Sequence, residues 1–207
     1  MKGSLAVACA LAALPCGCRA QPERVELSDQ AVVLELPFVR QDELYECGLA
    51  SISALCQYWG VAIPDQDRAE LAAMAVERQG LSGAELRAAL ERFGLEVFLF
   101  EGALDHSPTG LYAHVDKGRP PIVMLARGRR EHHYCLFLGY DEPRGNVLLL
   151  DPLRGSVMLP IPAFERDWAE ARRFTLLALP PNPGNRTSQG RKPPRRSLRC
   201  TKPSSRG

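Results

Sequence analysis

The amino-acid sequence predicts a single domain of the α+β class, with helices in the first half and an antiparallel sheet in the second. Apolar residues recur with the helical period between residues 47 and 93, whereas short apolar runs separated by charged or Gly/Pro turns fill residues 121–160. Helices followed by a run of strands are typical of the α+β class. The chain has 207 residues, 45% of them hydrophobic, and single domains typically run to about 100–200 residues, so one core is expected.

Local signals mark the ends of the elements in the first half. Pro37 ends the first strand, and Gly60 suits the position after a helix C-terminus. Ser82 and Glu85 have the spacing of a capping box at the start of a helix, and Gly94 follows the end of that helix. The predicted elements are a strand over residues 31–36, helices over 47–59, 65–79 and 82–93, and a strand over 96–100.

The second half is predicted to be mostly strands. The turn over residues 141–145 separates two apolar runs and would join them as a hairpin, and Phe164 and Trp168 lie four residues apart as on one helix face. The predicted elements are strands over 121–126, 133–140, 146–151 and 156–160, a helix over 162–172 and a strand over 174–179.

Charge is distributed unevenly along the chain, although the net formal charge is only +2. Residues 21–180, the predicted folded domain, carry 16 Lys/Arg against 24 Asp/Glu, a balance of −8. Such an acidic body excludes a typical DNA- or RNA-binding domain, so no nucleic-acid partner is expected. Residues 181–207 carry eight Lys/Arg, no acid and almost no apolar residue, and are predicted to be a disordered basic tail.

Residues 1–20 have the pattern of an export segment. Lys2 precedes an apolar run over residues 5–14, which is too short to span a bilayer. Two interpretations remain open: signal-peptidase cleavage after Ala20, or a lipoprotein signal cut before Cys18, whose lipid would attach the protein to a membrane. Pro15 stands where a lipobox usually has Leu. Either interpretation predicts an exported protein, periplasmic or in the cell envelope.

The cysteines indicate a free thiol rather than a zinc-ribbon metal site. Of the seven, Cys47, Cys56 and Cys135 lie in the predicted domain, without a Cys-x-x-Cys pair and hence without a zinc-ribbon signature. Three cysteines leave at least one unpaired even in an oxidising compartment. An unpaired thiol is compatible with a nucleophile.

The segment around Cys47 is the candidate nucleophilic site. Cys47 begins a predicted helix, where free backbone N–H groups and the helix dipole lower a thiol pKa. Gly48 would leave room for a substrate backbone. Gln41, six residues upstream, could place its amide beside the Cys47 N–H, and these two donors would form an oxyanion hole. An isolated cysteine is otherwise most often a small buried hydrophobe.

His133 and Asp151 are the candidate base and orienting acid. Across an antiparallel hairpin centred on the turn 141–145, residue 133 would pair near 151 or 153, and the shared parity places both side chains on one face. Opposed or diagonal neighbours are within reach of an Asp–His hydrogen bond. Asp151 would then fix the imidazole, which would accept the Cys47 proton. His132 would point to the opposite face.

Three motifs in this order resemble the bacteriocin-processing, or double-glycine leader, peptidase family of papain-like cysteine peptidases. They are Gln41 followed by Glu46-Cys47-Gly48-Leu49-Ala50, then His133-Tyr134 opening an apolar strand, then Asp151-Pro152 with Gly155. The resemblance covers roughly residues 37–168. It implies a papain-like fold, with the nucleophile at a helix start packed on the C-terminal sheet. It also implies Cys47 as nucleophile, Gln41 in the oxyanion hole, His133 as base and Asp151 as orienting acid.

The same resemblance implies a thiol peptidase that acts on a peptide or protein substrate, with cleavage after small residues such as Gly-Gly in leader peptides. It implies neither a metal nor an organic cofactor. Many members are fused to peptide-exporting ABC transporters, but no transmembrane helices or nucleotide-binding motif follow in this chain. The sequence is therefore closer to stand-alone, exported members.

Three alternatives stay open at the level of sequence. The same triad could transfer an acyl group to an amine. The scaffold could be a non-catalytic peptide-binding module, although no candidate site residue is missing. Finally, Cys47, His133 and Asp151 could together bind zinc, but that would leave the upstream Gln41 unexplained.

Overall fold

The computed structural model describes residues 27–128 and 131–181. The predicted export segment, residues 1–20, and all but the first residue of the predicted basic tail lie outside the described residues. Among the described residues, none of the helices combines the length and the apolar character that a membrane crossing requires.

The described residues form seven strands and five α-helices, which confirms the predicted α+β class. A short 3₁₀ helix, Glu142–Arg144, occupies the predicted turn. The elements in chain order are β1 (Val32–Val33), α1 (Cys47–Trp59), α2 (Asp65–Glu77), α3 (Gly83–Arg92), β2 (Glu96–Glu101), α4 (Leu111–Asp116), β3 (Ile122–Arg127), β4 (Glu131–Asp141), β5 (Asn146–Asp151), β6 (Gly155–Pro160), α5 (Ile161–Glu170) and β7 (Phe174–Leu179).

All the strands belong to one antiparallel sheet in the order β2-β7-β3-β4-β5-β6, and β1 also pairs with β4. The hairpin of β4 and β5 lies inside this sheet, as the turn predicts. Leu136 pairs with Leu150, and the pairing then shifts by one residue between Phe137 and Gly139. Continuing this register by one pair places Asp151 opposite Cys135. His133, two residues before Cys135 on β4, is therefore a diagonal neighbour of Asp151.

The sheet is covered on both faces. One core cluster joins α1, α2 and α3 to strand residues such as Leu136 and Leu150. The other joins α4 and α5 to the alternate strand residues, such as Phe137 and Leu149. Since side chains alternate along a strand, the two clusters lie on opposite faces, and the N-terminal helices cover only one of them.

Several helix ends follow the signals in the sequence. Gly60 takes the left-handed conformation with φ 70° and its N–H bonds to Gln57, closing α1. Ser82 and Glu85 form both hydrogen bonds of the predicted capping box at the start of α3.

Other boundaries differ from the predictions. The first strand is only two residues long because it pairs solely with the Gly139–Tyr140 part of β4. The second helix ends two residues early, where Gln79 has a positive φ of 57°. Helix α4 was not predicted. It has six residues, too few to show a helical period.

Candidate active site

Cys47 is the first residue of α1 and is buried. The preceding residue, Glu46, makes no side-chain cap; its carboxylate instead accepts from the backbone N–H groups of Asp42 and Glu43. No acidic residue lies in the first turn of α1. The free N–H groups and the positive end of the helix dipole therefore face the Cys47 sulfur without competition from a carboxylate on the same turn.

Gln41 organises the loop that leads into Cys47. Its backbone N–H donates to the Pro152 carbonyl (3.1 Å), which ties this loop to the turn after β5. Its side-chain Nε2 donates to the carbonyls of Glu43 (2.8 Å) and Leu44 (3.2 Å), whereas its buried Oε1 has no hydrogen-bond partner. The amide is thus held near the start of α1, but it must turn from these carbonyls before it can donate to an oxyanion.

His133 and Asp151 are in contact. His133 Nε2 lies 2.8 Å from Asp151 Oδ1, and both residues are buried. The two side chains share a face, as predicted, but through the one-residue shift between Phe137 and Gly139 rather than through a regular hairpin, and the diagonal placement produces the contact. His132, the next residue along the strand, is exposed. Because Nε2 is taken by Asp151, Nδ1 is the imidazole nitrogen that is free of the carboxylate.

The three side chains interact electrostatically. Burial raises the pKa of Cys47, but hydrogen bonds with His133 and with the backbone of Tyr134 outweigh it, so this pKa lies below its ordinary value. Burial lowers the pKa of His133, yet hydrogen bonds with Asp151, Cys135 and Cys47 raise it to about 11. A lowered Cys47 pKa and a raised His133 pKa both favour the thiolate–imidazolium pair.

The other two described cysteines behave differently. Cys47, Cys56 and Cys135 are all free thiols, in agreement with the expected unpaired thiol. Burial raises the pKa of Cys56 to about 12. Burial also raises the pKa of Cys135, although His133 lies beside it. Among the described cysteines, only Cys47 has the lowered pKa of a nucleophile.

Two arginines at the site were not predicted from the sequence. Arg127 Nη2 lies 2.6 Å and Arg154 Nε 3.0 Å from Asp151 Oδ2. Leu153 donates its N–H to Asp151 Oδ1 at 2.9 Å. Arg154 lies only three residues after Asp151, in a turn, so its contact with the carboxylate could have been predicted from the sequence. Arg127 lies 24 residues away on β3, and only the strand order brings it near.

A metal site at His133 and Asp151 is disfavoured by the same contacts. His133, Cys135 and Asp151 each offer a ligand atom, and these atoms lie within 4.8 Å of one another. However, two guanidinium groups already occupy the Asp151 carboxylate, and their positive charge opposes a cation. The thiol in this group is also Cys135 rather than Cys47, so the zinc alternative based on Cys47 loses support.

Gly48 has a packing role that the sequence did not indicate. A Cβ at this position would lie 3.2 Å from Leu86 Cδ1 and 3.5 Å from Tyr134 Cδ2. The glycine therefore lets α1 approach α3 and β4 closely. The sequence had instead suggested that the space beside Gly48 would admit a substrate backbone. This packing places Cys47 beside the strand that carries His133.

A cavity of about 310 Å³ adjoins this region between α1, α2 and the loop before Cys47. Its lining includes Gln41, Glu46, Leu49 and Arg68. Cys47, His133 and Asp151 are not among the residues that line this cavity. The cavity therefore adjoins the candidate site without including its three central residues.

Solved structures of similar fold include peptidases. A double-glycine-motif protease from an AMS/PCAT transporter, in complex with a leader peptide, is 21% identical, with 72% of this chain and 94% of that chain covered and a TM-score of 0.57. The peptidase domain of Streptococcus ComA, a bifunctional ABC transporter of a quorum-sensing pathway, is 19% identical, with 71% and 98% covered and a TM-score of 0.57. A C39-like peptidase from Bacillus anthracis is 16% identical, with 74% and 99% covered and a TM-score of 0.56.

No curated protein sequence matches this chain significantly. The sequence model of the Peptidase C39 family, by contrast, matches residues 35–178, well over half of the chain. The match includes Gln41, Cys47, His133 and Asp151. It agrees with the fold of the solved peptidases and confirms the resemblance found in the sequence. The chain therefore belongs to the Peptidase C39 family and is a cysteine peptidase, a hydrolase.

Proposed function

We propose that this chain hydrolyses peptide bonds with Cys47 as nucleophile, His133 as general acid and base, and Asp151 as the residue that orients His133. One observation carries the proposal. His133 Nε2 lies 2.8 Å from a buried carboxylate, and His133 also lowers the pKa of Cys47, the only described thiol whose pKa is lowered. A nucleophile, a base and an orienting acid in this order are the arrangement that thiol catalysis requires.

The reaction follows from this order. The Cys47 proton passes to His133, and the thiolate adds to the carbonyl carbon of the scissile peptide bond. His133 returns the proton to the amide nitrogen as the C–N bond breaks, which releases an amine and leaves a thioester on Cys47. A water molecule then gives a proton to His133 while its oxygen attacks the thioester, and the C–S bond breaks to release the acid and restore Cys47.

The tetrahedral intermediate needs donors for its oxyanion. The backbone N–H of Cys47, at the uncapped start of α1, is the first donor that this geometry offers. Gln41 is proposed as the second, because its buried amide is held in the adjoining loop. The donation requires the Gln41 amide to leave the Glu43 and Leu44 carbonyls when substrate binds.

Peptides are the proposed substrates, with cleavage after small residues such as Gly-Gly in a leader segment. The similar protease from an AMS/PCAT transporter binds a leader peptide, and this chain covers 94% of that peptidase domain. Fold similarity alone does not set cleavage specificity, so this part of the proposal depends on the family membership.

We further propose an exported protein, periplasmic or in the cell envelope. The support is the apolar run and the Cys18 and Ala20 positions near the N-terminus of the sequence. The N-terminal mass of protein purified from a membrane and from a periplasmic fraction tests it. A lipid-modified Cys18 or a terminus at Gln21 supports export, and an intact Met1 contradicts it.

The proposed chemistry is tested by incubating the full chain with a defined peptide library that includes Gly-Gly sequences, with the Cys47→Ala variant as the control. We expect new termini to form by addition of water with the unaltered chain and none with Cys47→Ala. Equal cleavage by both proteins would contradict the role of Cys47. Products joined to an added amine, rather than to water, would indicate acyl transfer.

A further inference from the structure

The Asp151 carboxylate is saturated with hydrogen-bond donors. Oδ1 accepts from His133 Nε2 at 2.8 Å and from the Leu153 N–H at 2.9 Å. Oδ2 accepts from Arg127 Nη2 at 2.6 Å and from Arg154 Nε at 3.0 Å. A carboxylate offers about four lone-pair positions, so each oxygen is fully used and the two oxygens have separate partners.

The two arginines reach this carboxylate from separate elements. Arg127 is the last residue of β3, which pairs with β4, and Arg154 lies in the turn between β5 and β6. Their side chains are 32% and 61% exposed, whereas that of Asp151 is 1% exposed. Exposed ion pairs contribute little, but here both cations converge on one buried anion.

We propose that Arg127 and Arg154 are positioning residues of the active site, which hold the Asp151 carboxylate towards His133 and draw part of its negative charge away from the imidazole. The proposal rests on the proposed function, since it explains what orients the Asp151 carboxylate, the acid of the proposed triad. With Oδ2 fixed at both acceptor positions, Oδ1 stays directed at His133 Nε2 throughout the reaction.

The charge of the arginines matters as much as their geometry. A buried carboxylate without cations would hold a neighbouring imidazolium very strongly and would hinder proton transfer to the leaving amine. The other titratable groups around His133 are Cys47 on α1 and Cys135 on β4. Neither is a cation, so among these neighbours only Arg127 and Arg154 offset the attraction of Asp151 for the proton on His133.

The direct test is the titration of His133 by NMR in the full chain, with ¹⁵N-labelled histidines. The background is Cys47→Ala, since removing the thiol leaves His133 and Asp151 as the coupled pair. We expect the pKa of His133 to be higher by about one pH unit after Arg127→Met and Arg154→Met are added together, because loss of a nearby like charge favours the imidazolium. Arg127→Lys should restore most of the original pKa, since it keeps the charge.

With Cys47 present, the same pair of substitutions should lower kcat by about tenfold, part of the 10²–10⁴ that acid–base catalysis contributes, and leave KM nearly unchanged. Arg166→Met, at an exposed ion pair on α5, is the matched control and should change neither quantity. An unchanged or lowered His133 pKa, with an effect only on the melting temperature, would overturn the proposal. Failure of the proposed function is recognised separately, as peptide cleavage that survives Cys47→Ala.

Discussion

At the scale of single residues, the same side chain has different chemistry at three places in this protein. Cys47, Cys56 and Cys135 are all buried free thiols. Burial dominates at Cys56 and Cys135 and raises their pKa values. At Cys47 the hydrogen bonds from His133 and from nearby backbone groups outweigh burial. His133 lies beside both Cys47 and Cys135, so the backbone donors around the helix start, together with slightly greater exposure (8% against 1%), distinguish the candidate nucleophile.

Gln41 gives a prediction at this scale. Gln41→Ala should lower kcat by about 10²–10³ with little change in KM, because one oxyanion donor typically contributes that much to the rate. Steady-state hydrolysis of a peptide that the unaltered chain cleaves is the measurement. Gln57→Ala, at an exposed glutamine on the same helix α1, is the control. An unchanged kcat would mean that Gln41 only shapes the loop through its bonds to Glu43, Leu44 and Pro152.

The sequence predicted some of these residue roles better than others. A cysteine at a helix start is visible from the apolar period of residues 47–59 and from Gly60. The conformation of the Gln41 amide is not visible, because it depends on carbonyls of a loop without periodicity. Of the two arginines around Asp151, Arg154 is visible as a local signal three residues away, whereas Arg127 reaches Asp151 only through the order of the strands.

At the scale of elements, the β4–β5 hairpin sets the contact between His133 and Asp151. The two-residue period predicted both side chains on one face for a regular hairpin. The pairing next to the turn alone, however, would place Asp151 opposite Leu136, and the one-residue shift between Phe137 and Gly139 is what brings it to the face of His133. The pairing register was not determined by the sequence, because the shift between Phe137 and Gly139 leaves no mark in an apolar strand. Since the shift adds a residue to β4 on the turn side of the contact, Asp151 lies diagonally from His133.

The two adjacent histidines test the orientation of β4. His133→Ala should abolish peptide hydrolysis without unfolding the domain, and His132→Ala should matter far less, because His132 is exposed on the other face. Turnover and thermal melting of both variants are the measurements. A larger loss of activity from His132→Ala would mean that the face of β4 is wrongly assigned. A parallel loss of activity and melting temperature in His133→Ala would make that residue structural.

The short elements of the middle region mark the limit of prediction from periodicity. Helix α4 has six residues and lies between a loop that contains glycine and proline and the turn before β3. It contributes Leu111, Tyr112 and Val115 to the core that α5 also covers. A segment this short shows neither a helical period nor a capping box, so its structure follows from tertiary packing.

At the scale of the whole molecule, the site combines parts that are far apart in the chain. The loop before α1, the start of β4 and the turn after β5 meet through Gln41, His133 and Asp151. Family membership over residues 35–178 covers all of these parts. The family match therefore spans every part that the proposed chemistry uses.

Truncation tests the domain boundary predicted from composition. Removing residues 181–207 should leave the melting temperature and peptide hydrolysis nearly unchanged. The reason is that residues 181–207 carry eight positive charges, no acid and one leucine, too little apolar area to offset the entropy of ordering. Thermal melting and turnover of the truncated and full chains are compared. A fall of many degrees would show that the segment docks on the domain and would move the boundary.

The central claim is that His133 activates Cys47, and the most direct measurement is the rate of Cys47 alkylation by iodoacetamide against pH, followed peptide by peptide. In the unaltered chain, Cys47 should react selectively over Cys56 and Cys135 at neutral pH, because its pKa is lowered whereas burial raises the pKa values of the other two thiols. In His133→Ala the midpoint of the Cys47 alkylation profile should move to higher pH. Without the imidazole, burial raises the pKa of Cys47 and only the backbone hydrogen bonds lower it. Equal pH profiles in the two proteins, or faster labelling of Cys56 or Cys135, would contradict the account.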